Sequence, residues 1–118
     1  MTMKIDLRKL PPLNALKGFE ATTRRHSVRE AADELCVTHP AVSHQIQLLE
    51  SDLGVQLFSR EGRTIAPTAE GRQFYGYVRR ALDTLIEGAE TLRRSRVEQP
   101  LRVQTYVTAS IRDRKSTR

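Results

Sequence analysis

From Thr38 to Leu49 the chain reads Thr-His-Pro-Ala-Val-Ser-His-Gln-Ile-Gln-Leu-Leu, without one acidic residue. If Ala41, Val42, Ile46 and Leu49 form the buried face of a helix, His39, Pro40, Ser43, His44 and Gln47 turn away from it. Gln47 can bond the N6/N7 edge of adenine, Ser43 is short and both donates and accepts, and Pro40 or Ala41 can touch a thymine methyl. Those are the groups needed to read base edges in a major groove, and no carboxylate stands among them to repel phosphate. The same pattern also describes the solvent face of an ordinary amphipathic helix, and residue types alone leave both readings open.

Two hydroxyl residues and three arginines flank this run. Ser27 and Thr38 each precede a helical pattern and read first as N-caps. A helix N-terminus also offers backbone N–H groups to a phosphate. Arg29, in the first turn after Ser27, is poorly placed for the helix dipole, which a nearby phosphate would offset. Arg60 and Arg63 flank the tip of a short hairpin, where Arg suits a narrow minor groove. Arg60 can instead pair with Glu61 or Glu50, and Arg24 and Arg25 read as surface charge.

Other chemistry finds little support. His39 and His44 are five apart, not three or four, and no carboxylate joins them or His26 into a metal set. No Ser-His-Asp arrangement, phosphate-cradling glycine loop or Cys pair is present. The single cysteine, Cys36, excludes an internal disulfide framework and reads as a small buried hydrophobe. His26 reads as a loop residue. The expectation is a protein that is not an enzyme, with no catalytic residues, metal or cofactor.

The elements that must position these residues are four helical segments and one hairpin. Pro11 and Pro12 lead into the first, with Leu13, Leu16, Phe19 and Ala21 at helical spacing and Asn14 as a cap candidate. Ser27-Val28-Arg29-Glu30 has the form of a capping box, followed by Ala31, Ala32, Leu35 and Cys36. Thr38-His39-Pro40 opens the third segment, whose apolar face continues to Leu53, and Gly54 closes it. Two short helices joined by a tight turn form a helix-turn-helix pattern. Extended runs at 55–60 and 64–67 around Glu61-Gly62-Arg63 read as a β-hairpin wing.

Thr68 begins a helix of close to thirty residues. Tyr75, Val78, Leu82, Leu85, Ala89 and Leu92 recur on it at alternating spacings of three and four, as in a heptad seam. Such a seam needs a partner, and the expectation is a homodimer. Phe74 and Ala81, off the seam, are expected to pack on the domain. Leu101 to Val107 alternates like one β-strand, and the chain reads as ending just after a second domain begins. The fold class is mainly α: a winged helix-turn-helix with a long C-terminal linker and dimerisation helix. Its parts are an arm at 1–12, the DNA-binding domain at 13–67, and the linker helix at 68–98. The start of a second domain with a basic tail, expected to be poorly ordered, occupies 99–118.

The chain has 118 residues, enough for one small domain with an appendage. Its net charge of +6 invites a nucleic-acid partner, but residues 93–118 hold eight Lys or Arg and two acids. That segment alone carries the excess, the remainder is neutral, and any case for the folded part rests on local placement. No apolar run is long enough to span a membrane, and no secretory leader is visible. A cytoplasmic protein without a membrane partner is expected.

The run from Ser27 to Leu35, the run from Val37 to Ile46, and then Leu49-Glu50, Leu53-Gly54, Leu57-Phe58-Ser59-Arg60 with Arg63, and Thr68-Ala69-Glu70-Gly71 resemble the N-terminal domain of LysR-type transcriptional regulators. The resemblance covers roughly residues 11–107, and the ordered set is far more specific than any one piece. Thr38 to Ile46 is most similar to the subgroup of glycine-cleavage activators and β-lactamase regulators. It implies base-reading roles at His39, Pro40, Ser43 and His44, and linker helices paired antiparallel. Its implied partner is double-stranded DNA at an inverted-repeat promoter site, bound by a dimer that forms higher oligomers in a full-length form. Val28 stands where the family often has an aromatic, Pro67 where Leu is common, and His44 where Arg or Gln is frequent. The alternative is an interaction module that lacks its sensor domain and acts by pairing with full-length subunits. A docking module would more readily expose an aromatic or aliphatic patch on the Thr38–Leu49 face.

Overall fold

The computed structural model describes residues 4–61 and 64–98. Contacts divide the chain into two units, one through Arg80 and one from Ala81. In the first unit, a 3-10 turn at Leu7–Lys9 lies within the arm, capped by Asp6, whose carboxylate pairs with Arg8 at 3.0 Å.

Helix α1 runs Leu13–Arg25. Its cap position is Pro12, not Asn14: the proline fixes an extended entry, and the helix begins at the next residue. Leu13, expected on the buried face, is 55% exposed, whereas Ala15, Gly18, Phe19 and Thr22 face inward. At its end His26 adopts a left-handed φ of 57°, and its N–H donates to the Thr22 carbonyl at 2.8 Å.

Helix α2, Val28–Leu35, starts where its cap signal lies, with Ser27 Oγ accepting from Glu30 N at 3.0 Å. The Glu30 carboxylate does not return to the cap; it faces Arg25 at 3.7 Å. The helix ends in a Schellman arrangement: Val37 N–H reaches the Ala32 carbonyl, and Cys36 N–H the Asp33 carbonyl. This corrects the reading of Cys36 as a buried hydrophobe. It is the left-handed residue of that turn, at φ 60°, and its side chain is exposed.

Helix α3, His39–Leu53, is capped by Thr38, whose Oγ1 accepts from Ala41 N at 3.2 Å. Pro40 sits in the first turn, and Gly54 closes the helix at φ 74°. Val42, Ile46 and Leu49 are buried, whereas Ala41 and Leu53, expected with them, are exposed. α1 packs on both α2 and α3, and a methyl at Gly18 would already lie 3.7 Å from Val42 Cγ1.

Strands β1 (Phe58–Glu61) and β2 (Thr64–Pro67) pair antiparallel, with Phe58 opposite Pro67 and Arg60 opposite Ile65. Helix α4 follows over Ala69–Glu98. Side chains tie the wing to both neighbouring helices. Glu50 Oε2 accepts from Leu57 N at 2.8 Å and Phe58 N at 3.2 Å. Thr68 Oγ1 accepts from Gly71 N and donates to the Gln56 carbonyl at 2.7 Å.

The core gathers around Phe19, whose ring meets those of Phe58 at 5.6 Å, Phe74 at 5.5 Å and Tyr75 at 6.2 Å. Beside it runs a chain of charge. Glu20 accepts from Arg24 at 2.8 Å and from the Tyr75 hydroxyl at 3.1 Å, with Arg79 at 3.5 Å. Arg24 continues to Glu34, which also accepts from Arg25 at 2.9 Å. The Arg24 guanidinium, then Arg25, pulls the Glu34 carboxyl down to about 2. Arg24 first, with Tyr75 and Arg79 after it, also holds Glu20 below the usual range.

The presumed seam on α4 is divided. Val78 is 4% exposed, and the half-buried Tyr75 touches Phe19, so the first unit takes up both within its own core. In the second unit Leu82 and Ala89 are half-buried, Leu85 and Leu92 are 65% and 68% exposed, and Ile86 is also exposed. Phe74 packs on Phe19 as expected; Ala81 is exposed instead. The expected strand at 101–107 and the tail lie outside the described residues.

Two consequences can be measured. A Cβ at Gly71 would fall 2.1 Å from the Leu57 carbonyl oxygen, a backbone atom with no rotamer to escape into. Gly71→Ala is expected to cost about 1–3 kcal/mol of unfolding free energy, read from urea midpoints. The depressed carboxylates set the acid limb. Their folded pKa values lie below the unfolded value of 4.5, so their stabilisation is present above that pH. It is lost as pH falls from about 4.5 toward about 2, where Glu34 protonates in the folded state. Glu20→Gln should lower the urea midpoint at pH 7 and flatten its decline below pH 4.5.

Candidate nucleic-acid interface

Capping sets the start of α2 at Ser27 and of α3 at Thr38, and the Schellman turn between them holds the two helices as a pair. Glu50 and Thr68 hold the base of the wing. Together these elements enclose a cleft of about 410 Å³ lined by His26, Ser27, Val28, Arg29, His39, Ser43, Arg60, Thr64 and Ile65. Five of the residues singled out in the sequence (Ser27, Arg29, His39, Ser43 and Arg60) converge there from α2, α3 and β1. A neighbouring hollow of about 430 Å³ is lined by Gln47, Glu50, Gln56, Phe58, Ser59 and Arg60. Arg60 belongs to both.

The remaining candidates distribute around this face. Thr38, Pro40 and His44 are exposed at the start of α3 and along it, Gln47 is exposed one turn further on, and Ser43 is half-buried. Arg63 lies outside the described residues.

Charge on this face is one-sided. Arg29 and Arg60 are exposed, and neither has an ion-pair partner among the described residues. Among the described side chains, no acidic residue lines the first cleft. Glu50 lines the second, but Oε2 of its carboxylate is turned to the Leu57 and Phe58 amides. Of the roles open to Glu50, pairing with Arg60 is therefore not the one it takes. Arg24 and Arg25, read as surface charge, are engaged with Glu20, Glu30 and Glu34.

Sequence reasoning missed His26 and Thr64 as members of the cleft. His26 reaches it because its left-handed backbone turns the chain between α1 and α2. The available hint was weak: His is among the few non-glycine residues enriched at positive φ. Among the described residues no three His, Cys, Asp or Glu side chains gather as metal donors. No helix there is long and apolar enough to cross a membrane.

Comparison with known proteins places this geometry. Residues 13–72 match the bacterial regulatory helix-turn-helix protein, lysR family. The chain is 42% identical over 104 residues to a glycine cleavage system transcriptional activator homolog of Haemophilus influenzae, covering 88% of this chain and 35% of the relative. It is 47% identical over 93 residues to the HTH-type transcriptional regulator TrpI of Pseudomonas aeruginosa, covering 79% of this chain and 32% of that one. The chain thus spans about a third of the length of these curated relatives. The BenM DNA-binding domain in complex with catB site 1 DNA superposes with a TM-score of 0.66 at 37% identity, covering 70% of this chain and 92% of that one. The CbnR DNA-binding domain–DNA complex gives 0.64 at 34% identity, covering 71% and 97%. Motif order, winged helix-turn-helix architecture and these matches agree: the chain belongs to the LysR family of bacterial regulatory helix-turn-helix proteins.

Proposed function

We propose that this chain binds promoter DNA as a homodimer, without catalysis and in the cytoplasm. Residues 13–67 form the reading head, 68–98 the linker helix, and 1–12 an arm. Residues 99–118 form the start of an effector-sensing domain with a basic tail. α3 enters the major groove, where His39, Pro40, Ser43, His44 and Gln47 meet base edges. Ser27, Arg29 and Thr38 meet phosphate, and Arg60 and Arg63 carry the wing to the minor groove. One observation carries the reading: Ser27, Arg29, His39, Ser43 and Arg60, chosen for separate chemical reasons, line one cleft in which no described side chain is acidic. The BenM and CbnR domains, similar in fold and sequence, are described in complex with DNA, which supports it.

Pairing through α4 follows from its apolar positions. With Tyr75 and Val78 occupied in the first unit, the surface left for a partner is Leu82, Leu85, Ala89 and Leu92. A two-fold dimer presents two copies of α3 and therefore calls for an inverted repeat. Full-length forms are expected to assemble further.

Two experiments test this reading. Selection from random duplexes, read by fluorescence anisotropy, should recover an inverted repeat for the wild-type chain. Ser43→Ala/His44→Ala should then lose about 1–3 kcal/mol of discrimination per disrupted base pair while weak, salt-sensitive binding persists. Binding without preference that vanishes when residues 99–118 are removed would assign the affinity to the tail instead. For the dimer, Leu85→Glu/Leu92→Glu should sediment as a monomer. It should keep single half-site affinity and lose about 100-fold or more on the full repeat.

A further inference from the structure

We propose that His26 and His39 form the proton-sensitive part of a phosphate-binding cleft, so that this chain grips the nucleic-acid backbone more tightly as pH falls. The inference rests on the DNA-binding reading and adds to it a residue, His26, and a mode of regulation. The two histidines come from different elements, His26 from the end of α1 and His39 from the start of α3, yet both line the 410 Å³ cleft.

The surroundings favour an anion. α2 contributes Arg29 and β1 contributes Arg60, both without ion-pair partners among the described residues; β2 contributes the uncharged Thr64 and Ile65. Arg25, next to His26, is neutralised by Glu30 and Glu34. Neither imidazole hydrogen-bonds to another described residue, so each is available to a ligand. A neutral imidazole offers one donor and one acceptor; a protonated one offers two donors and a charge. Phosphate oxygens in the DNA backbone only accept. Binding and protonation therefore favour each other, and histidine is the side chain that changes charge between pH 5 and 8.

A structural role makes a different demand. His26 ends α1, and its backbone N–H closes that helix on the Thr22 carbonyl. A role confined to that turn would leave DNA affinity independent of proton uptake. The third histidine, His44, does not line the cleft, and residues 93–118 contain none.

The test measures anisotropy of the full chain with a mixed-sequence 20-base-pair duplex between pH 5.5 and 8.5, at several salt concentrations. Between pH 8 and 5.5 the dissociation constant should fall about three- to tenfold, two surface charge contacts being worth roughly that. The salt slope should steepen by about 1–2. His26→Asn/His39→Gln should flatten the pH dependence relative to the wild-type chain, whatever its affinity at pH 8.5; asparagine tolerates the left-handed backbone at position 26. His44→Gln should keep the pH dependence. A flat wild-type profile, or a double variant with the wild-type profile, overturns the proton-sensitive cleft and leaves DNA binding standing. No binding at any pH or salt overturns the DNA reading and this inference with it.

Discussion

The Phe19 ring is the contact on which the rest of the first unit depends. It projects from α1 and meets Phe58 of the wing strand and Phe74 and Tyr75 of α4. Three elements that are distant in sequence converge on one side chain. Without it, the wing would lose its aromatic contact with α1 and α4 and keep polar ties from Glu50, Thr68 and Arg72. The cleft exists because α2, α3 and the hairpin share that core. The backbone approach is closest at Gly71, where a Cβ would fall 2.1 Å from the Leu57 carbonyl oxygen.

The electrostatic layout follows from where the acids are spent. Glu20, Glu30 and Glu34 pair with Arg24, Arg25 and Arg79 on the α1 side, and Oε2 of Glu50 turns inward to two backbone amides. That leaves Arg29 and Arg60 facing the cleft without a counter-charge among the described residues. Residues 1–92, neutral in sum, thus present two unpaired arginines on one face. Net charge could not reveal this, because the +6 of the chain resides in residues 93–118.

Local signals were legible in the sequence where the physics is local. Ser27, Thr38 and Gly54 end their helices where side-chain caps and a glycine at positive φ require. The hairpin followed from two extended runs around a glycine turn. Misreadings came where a distant part of the chain decides. Cys36 looked like the next apolar position of α2, but the helix had already ended in a left-handed turn. Leu13, Ala41 and Leu53 keep the helical period yet are exposed. Tyr75 and Val78 fit a heptad seam, and spacing alone cannot say whether a buried residue faces its own core or a partner. Glu50 was visible only as a possible partner for Arg60, since the amides it binds arrive seven and eight residues later. In the site, residue types suggested the roles, and the convergence of α1, α2, α3 and the wing added His26.

The α2–α3–wing face, and not the basic tail, is proposed as the surface that meets DNA. Amide hydrogen exchange of the full chain with and without its selected duplex tests this directly. Exchange should slow at 27–29, 38–47 and 58–66 on adding DNA, with little change along the exposed side of α1. Protection confined to residues 93–118, with the cleft amides unchanged, would contradict it.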